Sequence, residues 1–410
     1  MIQHFEEKLD RYAEITVKIG VNIQKGQTLL ISAPLEAVEF VKRVMKHAYD
    51  NGCKRVSVRW NDAATQRIHI ENAPEETLKE IPEWQIAEMK DLTDNKGAIL
   101  NITGGDPKAF EGVDPQRLTL TSKTSGNKLH FFQKAQLNGD LHWAIVGVPT
   151  KAWAATVFPD KPAEVALDLL WEAVLKTVRV DQEDPVKAWE EHSKTLVAKM
   201  DELNAKHFKT LHYKSPVTDL SIDLHPDHIW LGAGHHSTFG TSYIPNMPTE
   251  EVFTAPLKQG VNGIVTSTKP LSFMGNMIEN FSLTFKDGKV VDFKAEKGYD
   301  ALKEALSIDE GMKFLGEVAL VPYDSPISNS GIIFNNTLYD ENASCHIALG
   351  SAIGMNIKGA GQLTKEELVE KGVNQSLGHV DFMIGSADLD IDGETYDGER
   401  IPLFRKGNWA

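Results

Sequence analysis

Cysteine is nearly missing from this 410-residue chain, which holds only Cys53 and Cys345. Two thiols can build neither a disulfide framework nor a four-thiolate zinc site, and such scarcity fits a reducing cytoplasm. Long apolar runs are missing too. None approaches the roughly 20 residues that cross a bilayer, and the opening MIQHFEEKLDRYAEI carries charges where a secretory leader needs an apolar stretch. Basic charge is scarce, with 43 Lys and Arg against 58 Asp and Glu and a formal net charge of −15. That balance argues against a nucleic-acid binder, which needs a basic face against phosphate. No H-E-x-x-H, G-x-S-x-G or Walker sequence occurs. Thermolysin-type, serine-hydrolase and P-loop chemistry are left without support.

What is present is a globular chain of 41% apolar and 25% charged residues, long enough for two domains. Its first part alternates strands and helices. GQTLLISAP reads as a strand, LEAVEFVKRVMKHAYDNG as an amphipathic helix ending at Asn51-Gly52, and KRVSVRWND as the next strand. A strand–helix–strand unit at this spacing implies a parallel sheet. GAILNITGG and HWAIVGVPT add strands, and Gly104-Gly105 reads as a turn because it lacks the spacing of a phosphate cradle. Residues 183–208 form one long helical pattern with Pro185 near its start. Beyond it come short alternating strands: DLSIDL, NFSLTFKDGKVVDFKAEKG, GEVALVPY, GIIFNNTLYD and HVDFMIG. The expected architecture is an α/β domain with a parallel sheet over 1–182, a helical connector over 183–215, and an α+β, β-rich domain over 216–410.

The tail DLDIDGETYDGE matches a calcium-loop pattern at Asp388, Asp390, Asp392, Gly393 and Glu399. Its flanks lack the two helices that such a loop needs, and Asp392-Gly393 and Asp397-Gly398 read instead as hairpin turns. Just before it, His379 and Asp381 lie two apart on a strand, so their side chains leave one face. Other candidate ligands gather at strand ends: Glu250 and Glu251 after PNMPT, Glu317 in GEVALVP, and Glu341 and His346 in LYDENASCHIALG. Burying Glu317, His346, His379 and Asp381 beside apolar segments costs several kcal/mol unless something compensates their charge. A pair of divalent cations would compensate them together. Carboxylates with imidazoles and no thiolate suit Zn, Co, Mn or Mg, and three or more acids around two histidines suit a dinuclear centre. His235-His236 reads as loop surface, because adjacent residues on a strand point to opposite faces. His225 and His228 read as turn residues.

NMPTEEVFTAP, GEVALVP, FNNTLYDENASCHIALG and HVDFMIGSADLDIDG, in this order, resemble the thermophilic metallo-aminopeptidases of the aminopeptidase T and S type. The opening RYAEITVKIGVNIQKGQTLLISAP resembles the same family, so the likeness spans nearly the whole chain. The resemblance implies metal ligands at Glu251 (with Glu250 the fallback), Glu317, His346, His379 and Asp381, with Glu317 bridging two ions. It implies Glu341 as general base. It also implies a homodimer enclosing a cavity and acting on short peptides, while the charge balance and the lack of a long apolar run leave out nucleic acid and membrane as partners. The activity so implied is removal of N-terminal residues by a metal-activated water. One position departs: seven residues after His346 the family pattern carries tyrosine, plausible as an oxyanion donor, and this chain has Ile353. Tyr339 and Tyr243 are candidate substitutes. Two alternatives stay open: another dinuclear amidase or dipeptidase, which would use the same ligands, and a weakened homologue that binds peptide or metal, which Ile353 favours.

Overall fold

The computed structural model describes residues 2–273, 276–360 and 363–410. It divides into two compact units. The chain up to Ser193 joins Gly234–Thr249 in the first, and Lys194–Ala233 joins Glu250–Ala410 in the second.

The first unit carries a parallel sheet of β1 (Thr28–Pro34), β2 (Arg55–Asn61), β3 (Ala98–Thr103), β4 (His142–Gly147) and the short strand Asn246–Met247. Its order is Asn246–Met247, β4, β3, β1, β2, so β1 lies inside the sheet. Leu29, Leu30 and Ile31 on β1 are all buried, which is why that stretch reads as an unbroken apolar run rather than an alternating one. Helix α1 (Val38–Asp50) joins β1 to β2, burying Phe40, Val41, Val44 and Ala48 along one stripe. It stops at Asn51, and Gly52 follows with φ 84°. Gly104 is a turn glycine as expected: a Cβ there would meet the Val148 carbonyl oxygen at 1.9 Å.

Helix α2 (Pro185–Lys206) contains the point where the chain passes into the second unit. That unit is built on two antiparallel sheets. The larger runs through β5 (Thr210–Lys214), β6 (Asp219–Leu224), β8 (Pro256–Thr266), β9 (Asn276–Lys286), β10 (Lys289–Lys297), β14 (Asp390–Glu394) and β15 (Arg400–Arg405). The smaller runs Leu231–Gly232, β7 (Val252–Thr254), β11 (Leu315–Leu320), β12 (His346–Gly350), β13 (His379–Met383). A shared core of Leu211, Ile222, Phe281, Leu283, Val318, Ile347 and Phe382, among others, binds the unit together. Parallel α/β in the first unit and β-rich α+β in the second is the architecture that the sequence patterns predict. No helix among the described residues is long and apolar enough to cross a membrane.

Two local expectations fail for physical reasons. GIIFNNTLYD forms no strand. Asp340 accepts the backbone N–H of Phe334 at 2.8 Å and of Asn336 at 3.1 Å, and Asn336 caps the short helix Thr337–Asp340. Side chains there satisfy the backbone locally, so no ladder forms. Asp392-Gly393 is not a turn but the middle of β14, paired with β5 and β15. Glycine is needed there because a Cβ would lie 2.5 Å from the Phe208 ring. The turn comes later, where Gly398 takes φ 85°.

The tail is therefore a hairpin, and two of the pattern's acids are engaged in the sheet. Asp390 accepts Lys406 N at 2.8 Å and Asp392 pairs with Arg405 at 2.5 Å. Replacing Asp390 and Asp392 with Asn is expected to leave bound metal unchanged, read by elemental analysis of the purified protein. A lowered metal content would reinstate the calcium loop.

Candidate metal centre

Register gathers the acids and imidazoles of the smaller sheet. Residues paired across strands share a face, and side chains alternate along each strand. Glu317 pairs with Ala348, which pairs with Asp381; Ala319 pairs with His346, and Gly350 with His379. Val252 pairs with Leu320, so Glu251 precedes it on the side of Glu317. The other parity, Val318, Leu320, Ile347, Leu349 and Phe382, enters the apolar core. Ala319 and Ala348 sit among the polar members, and their small side chains leave space above the sheet.

The distances follow. His346 Nε2 lies 3.1 Å from Glu251 Oε2 and 3.8 Å from Glu317 Oε1. His379 Nε2 lies 3.4 Å from Glu317 Oε2 and 3.3 Å from Asp381 Oδ1. Glu317 thus offers one oxygen to each imidazole. Two overlapping groups result, Glu251–Glu317–His346 and Glu317–His379–Asp381, each with donor atoms within 4.8 Å of one another. The first group is buried, whereas the second reaches solvent through His379, whose side chain is 31% exposed.

The backbone orients both rings. His379 Nδ1 meets Ser351 O at 2.8 Å and His346 Nδ1 meets Ser344 O at 3.3 Å. A proton on each Nδ1 satisfies these carbonyls and directs Nε2 to the acids, the arrangement that metal-ligating histidines adopt. Asp381 Oδ1 is buried with no well-formed hydrogen bond and only the 3.3 Å contact to His379 Nε2, an acceptor that a cation would satisfy. The donor set fits divalent cations.

The electrostatics say the same. Burial alone would lower both histidines, but Glu251 and Glu317 override it at His346 and hold its pKa well up, while Asp381 and then Glu317 lift His379 to about 10. Burial raises the Glu317 carboxyl, opposed by the nearby His346 imidazole and reinforced by Asp381. Burial would also raise Asp381, but His379 beside it brings it below the ordinary range. Glu341 is pushed well above the carboxylate range, first by burial and then by the charges of Asp381 and Glu251. Four acids and two imidazoles share one small volume, and only added positive charge relieves them.

The remaining expected residues lie outside both donor groups. Glu250 belongs to neither group; its N–H donates to Asn342 Oδ1 at 2.8 Å. Ile353 stands just before a short 3-10 turn at Gly354–Asn356. Tyr339 is buried and stacks on Phe334 at 4.8 Å. Tyr243 belongs to the first unit, where its hydroxyl meets His235 Nδ1 at 3.2 Å. His225 and His228 do flank a turn, with His228 N donating to His225 O at 2.8 Å, but both are buried, and His225 Nε2 meets Lys371 O at 2.9 Å. Sequence reading missed the Ser344 and Ser351 carbonyls, which carry no residue signature, and the buried amides Asn342 and Asn374.

The model of one family, described as thermophilic metalloprotease (M29), matches residues 5–409. The chain belongs to this family and is a peptide hydrolase. It is 48% identical over 406 residues to aminopeptidase AmpS of Bacillus subtilis, covering 99% of each chain. Aminopeptidase 2 of Geobacillus stearothermophilus is 49% identical over 409 residues, covering 100% of this chain and 99% of its own. The solved structure of wild-type AmpT from Thermus thermophilus superposes with a TM-score of 0.92 at 39% identity, over 99% of this chain and 100% of that one. The family match bears out the resemblance drawn from the sequence segments, and a metalloprotease family implies a divalent metal cofactor.

Proposed function

We propose that the protein is a metallo-aminopeptidase that removes N-terminal residues from short peptides at a dinuclear centre. The observation that carries this reading is the shared Glu317, with one carboxylate oxygen toward each imidazole. In it, Glu251, Glu317 and His346 hold one divalent cation (Zn, Co, Mn or Mg), and Glu317, His379 and Asp381 hold the other. Bound there, such a pair supplies Lewis acidity that lowers the pKa of a water toward neutrality and polarises a scissile carbonyl.

The chain's own residues do the rest. Glu341 takes the proton of the attacking water and passes it to the leaving amine. The excess of carboxylates over imidazoles favours a substrate bearing a free α-ammonium. The more open side at His379 gives a peptide its approach. The buried, unpaired thiols of Cys53 and Cys345 support a reducing, cytoplasmic location.

Hydrolysis of aminoacyl-p-nitroanilides with free and blocked amines tests the reading, after chelation and again after adding Co, Zn, Mn or Mg. Turnover of the free-amine substrates alone, lost on chelation and restored by metal, is expected. Equal turnover of blocked substrates would point to an amidase instead. Ile353 supports a second reading, a homologue that binds peptide and metal with little turnover. On that reading the protein binds its cations, hydrolyses little, and Ile353→Tyr raises kcat by about a hundredfold, the worth of one oxyanion donor.

A further inference from the structure

The turn after β12 does more than end a strand. It carries the Ser351 carbonyl that meets His379 Nδ1 at 2.8 Å, so its placement decides where His379 Nε2 points. Gly350 N donates to Phe314 O at 2.9 Å, Ser351 N to Gly378 O at 2.7 Å, and Ala352 N to Asn374 O at 2.9 Å. Gly316 lacks the Cβ that would stand 2.5 Å from Ser351, which lets β11 and the turn approach closely.

Asn374 is the one side chain with hydrogen bonds to this turn besides His379 among the described residues. It is fully buried, and its amide Nδ2 donates to Gly350 O at 2.6 Å and Gly311 O at 2.8 Å, with Phe314 O at 3.3 Å. Only the amide nitrogen can face three carbonyls, so the orientation of this side chain is set by its neighbours. Through its own carbonyl and its side chain, Asn374 grips the turn on both sides of Ser351. A buried amide that merely filled space could be replaced by leucine at little cost, whereas this one ties three backbone carbonyls of two segments to one point.

We propose that Asn374 is a positioning residue of the metal centre. It holds the Ser351 carbonyl against His379 Nδ1 and so fixes His379 Nε2 toward Glu317 and Asp381. The proposal rests on the dinuclear reading above. It also predicts an asymmetry: Asn374 governs the cation of Glu317, His379 and Asp381 and leaves the His346 side untouched, because His346 leans on Ser344 instead.

The test uses the full chain labelled with [15N]histidine, as wild type, Asn374→Ala and His379→Ala. Cation affinity is titrated for each ion against a chelator, and the imidazole N–H resonances of the cation-free protein are recorded. Asn374→Ala is expected to lose the slowly exchanging His379 Nδ1–H signal. It should bind one of its two cations about tenfold to a hundredfold more weakly, the usual effect of removing an outer-shell partner, and the other as in wild type. Unchanged affinity for both ions, or an equal loss of both in a folded protein, overturns the proposal. If Asn374→Ala does not fold, Asn374→Ser carries the same comparison. Failure of both to fold assigns Asn374 to the fold alone and overturns the proposal too. Loss of one ion in His379→Ala without any change in Asn374→Ala sinks this inference only. Full retention of both ions in His379→Ala sinks the dinuclear reading itself.

Discussion

Glu317→Gln is expected to remove both cations at once, where His379→Ala is expected to remove one. Glutamine keeps the size and shape of the side chain and gives up its charge and one acceptor oxygen. Glu317 Oε1 stands 3.8 Å from His346 Nε2 and Oε2 stands 3.4 Å from His379 Nε2. An amide in that place can serve one side with its oxygen, and its NH2 turns toward the other imidazole. Affinity for both ions is expected to fall by about a hundredfold or more, roughly 2.7 kcal/mol each, and turnover with it.

The cation-free protein behaves in the opposite sense. Glu317 has a folded pKa raised by burial above that of an unfolded carboxyl. A raised acid contributes stability only while protonated and withdraws it as pH climbs past its unfolded value. Chelated Glu317→Gln is therefore expected to melt no lower than chelated wild type at neutral pH, although the metal-loaded comparison strongly favours wild type. His379, lifted to about 10, and His346 are protonated in the chelated protein at that pH. Reloading the centre must expel those protons, so the calorimetric heat of binding should depend on the ionisation enthalpy of the buffer. Retention of either ion at wild-type affinity by Glu317→Gln would show that the carboxylate does not bridge.

Much of this centre is legible in the amino-acid sequence, and for a specific reason. His379 and Asp381 sit on one strand two residues apart, and a period of two needs no tertiary knowledge to place them on one face. The convergence of β7, β11, β12 and β13 is not legible in that way. Pairing Glu317 through Ala348 with Asp381 is a matter of register between strands about 30 residues apart in sequence, and one strand's pattern says nothing about its neighbour's offset. Resemblance across ordered segments supplies that part. What stays hidden is main-chain chemistry. The Ser344 and Ser351 carbonyls act through backbone oxygens that every residue possesses, and GIIFNNTLYD reads as a strand until Asp340 is seen holding two of its N–H groups. Asp392-Gly393 misleads in the same way: glycine answers a tertiary demand, room for Phe208, and not a turn.

Glu341→Gln is expected to separate binding from chemistry. Glu341 belongs to neither group of metal donors, yet it feels their charges, since Asp381, Glu251 and Glu317 all push its carboxyl up and His346 pulls it down. Asn342 Nδ2 reaches its Oε1 at 3.5 Å from the next position in the chain, so a glutamine keeps its setting. The variant should hold both cations within about threefold of wild type, because no donor has been removed. Its kcat should fall by about a hundredfold to ten-thousandfold, the contribution of a positioned general base, with KM little changed. The pH dependence carries the stronger discrimination. A base must be deprotonated to act, so wild-type kcat falls as pH drops through the Glu341 pKa of the metal-loaded enzyme. The residual kcat of Glu341→Gln should lack this acidic limb. Loss of a cation in this variant would make Glu341 a ligand rather than a base, and an acidic limb that survived unchanged would hand the proton transfer to another group. A shared carboxylate and an unshared one thus make opposite predictions, metal lost with Glu317 and metal kept with Glu341, which is how the two roles are told apart.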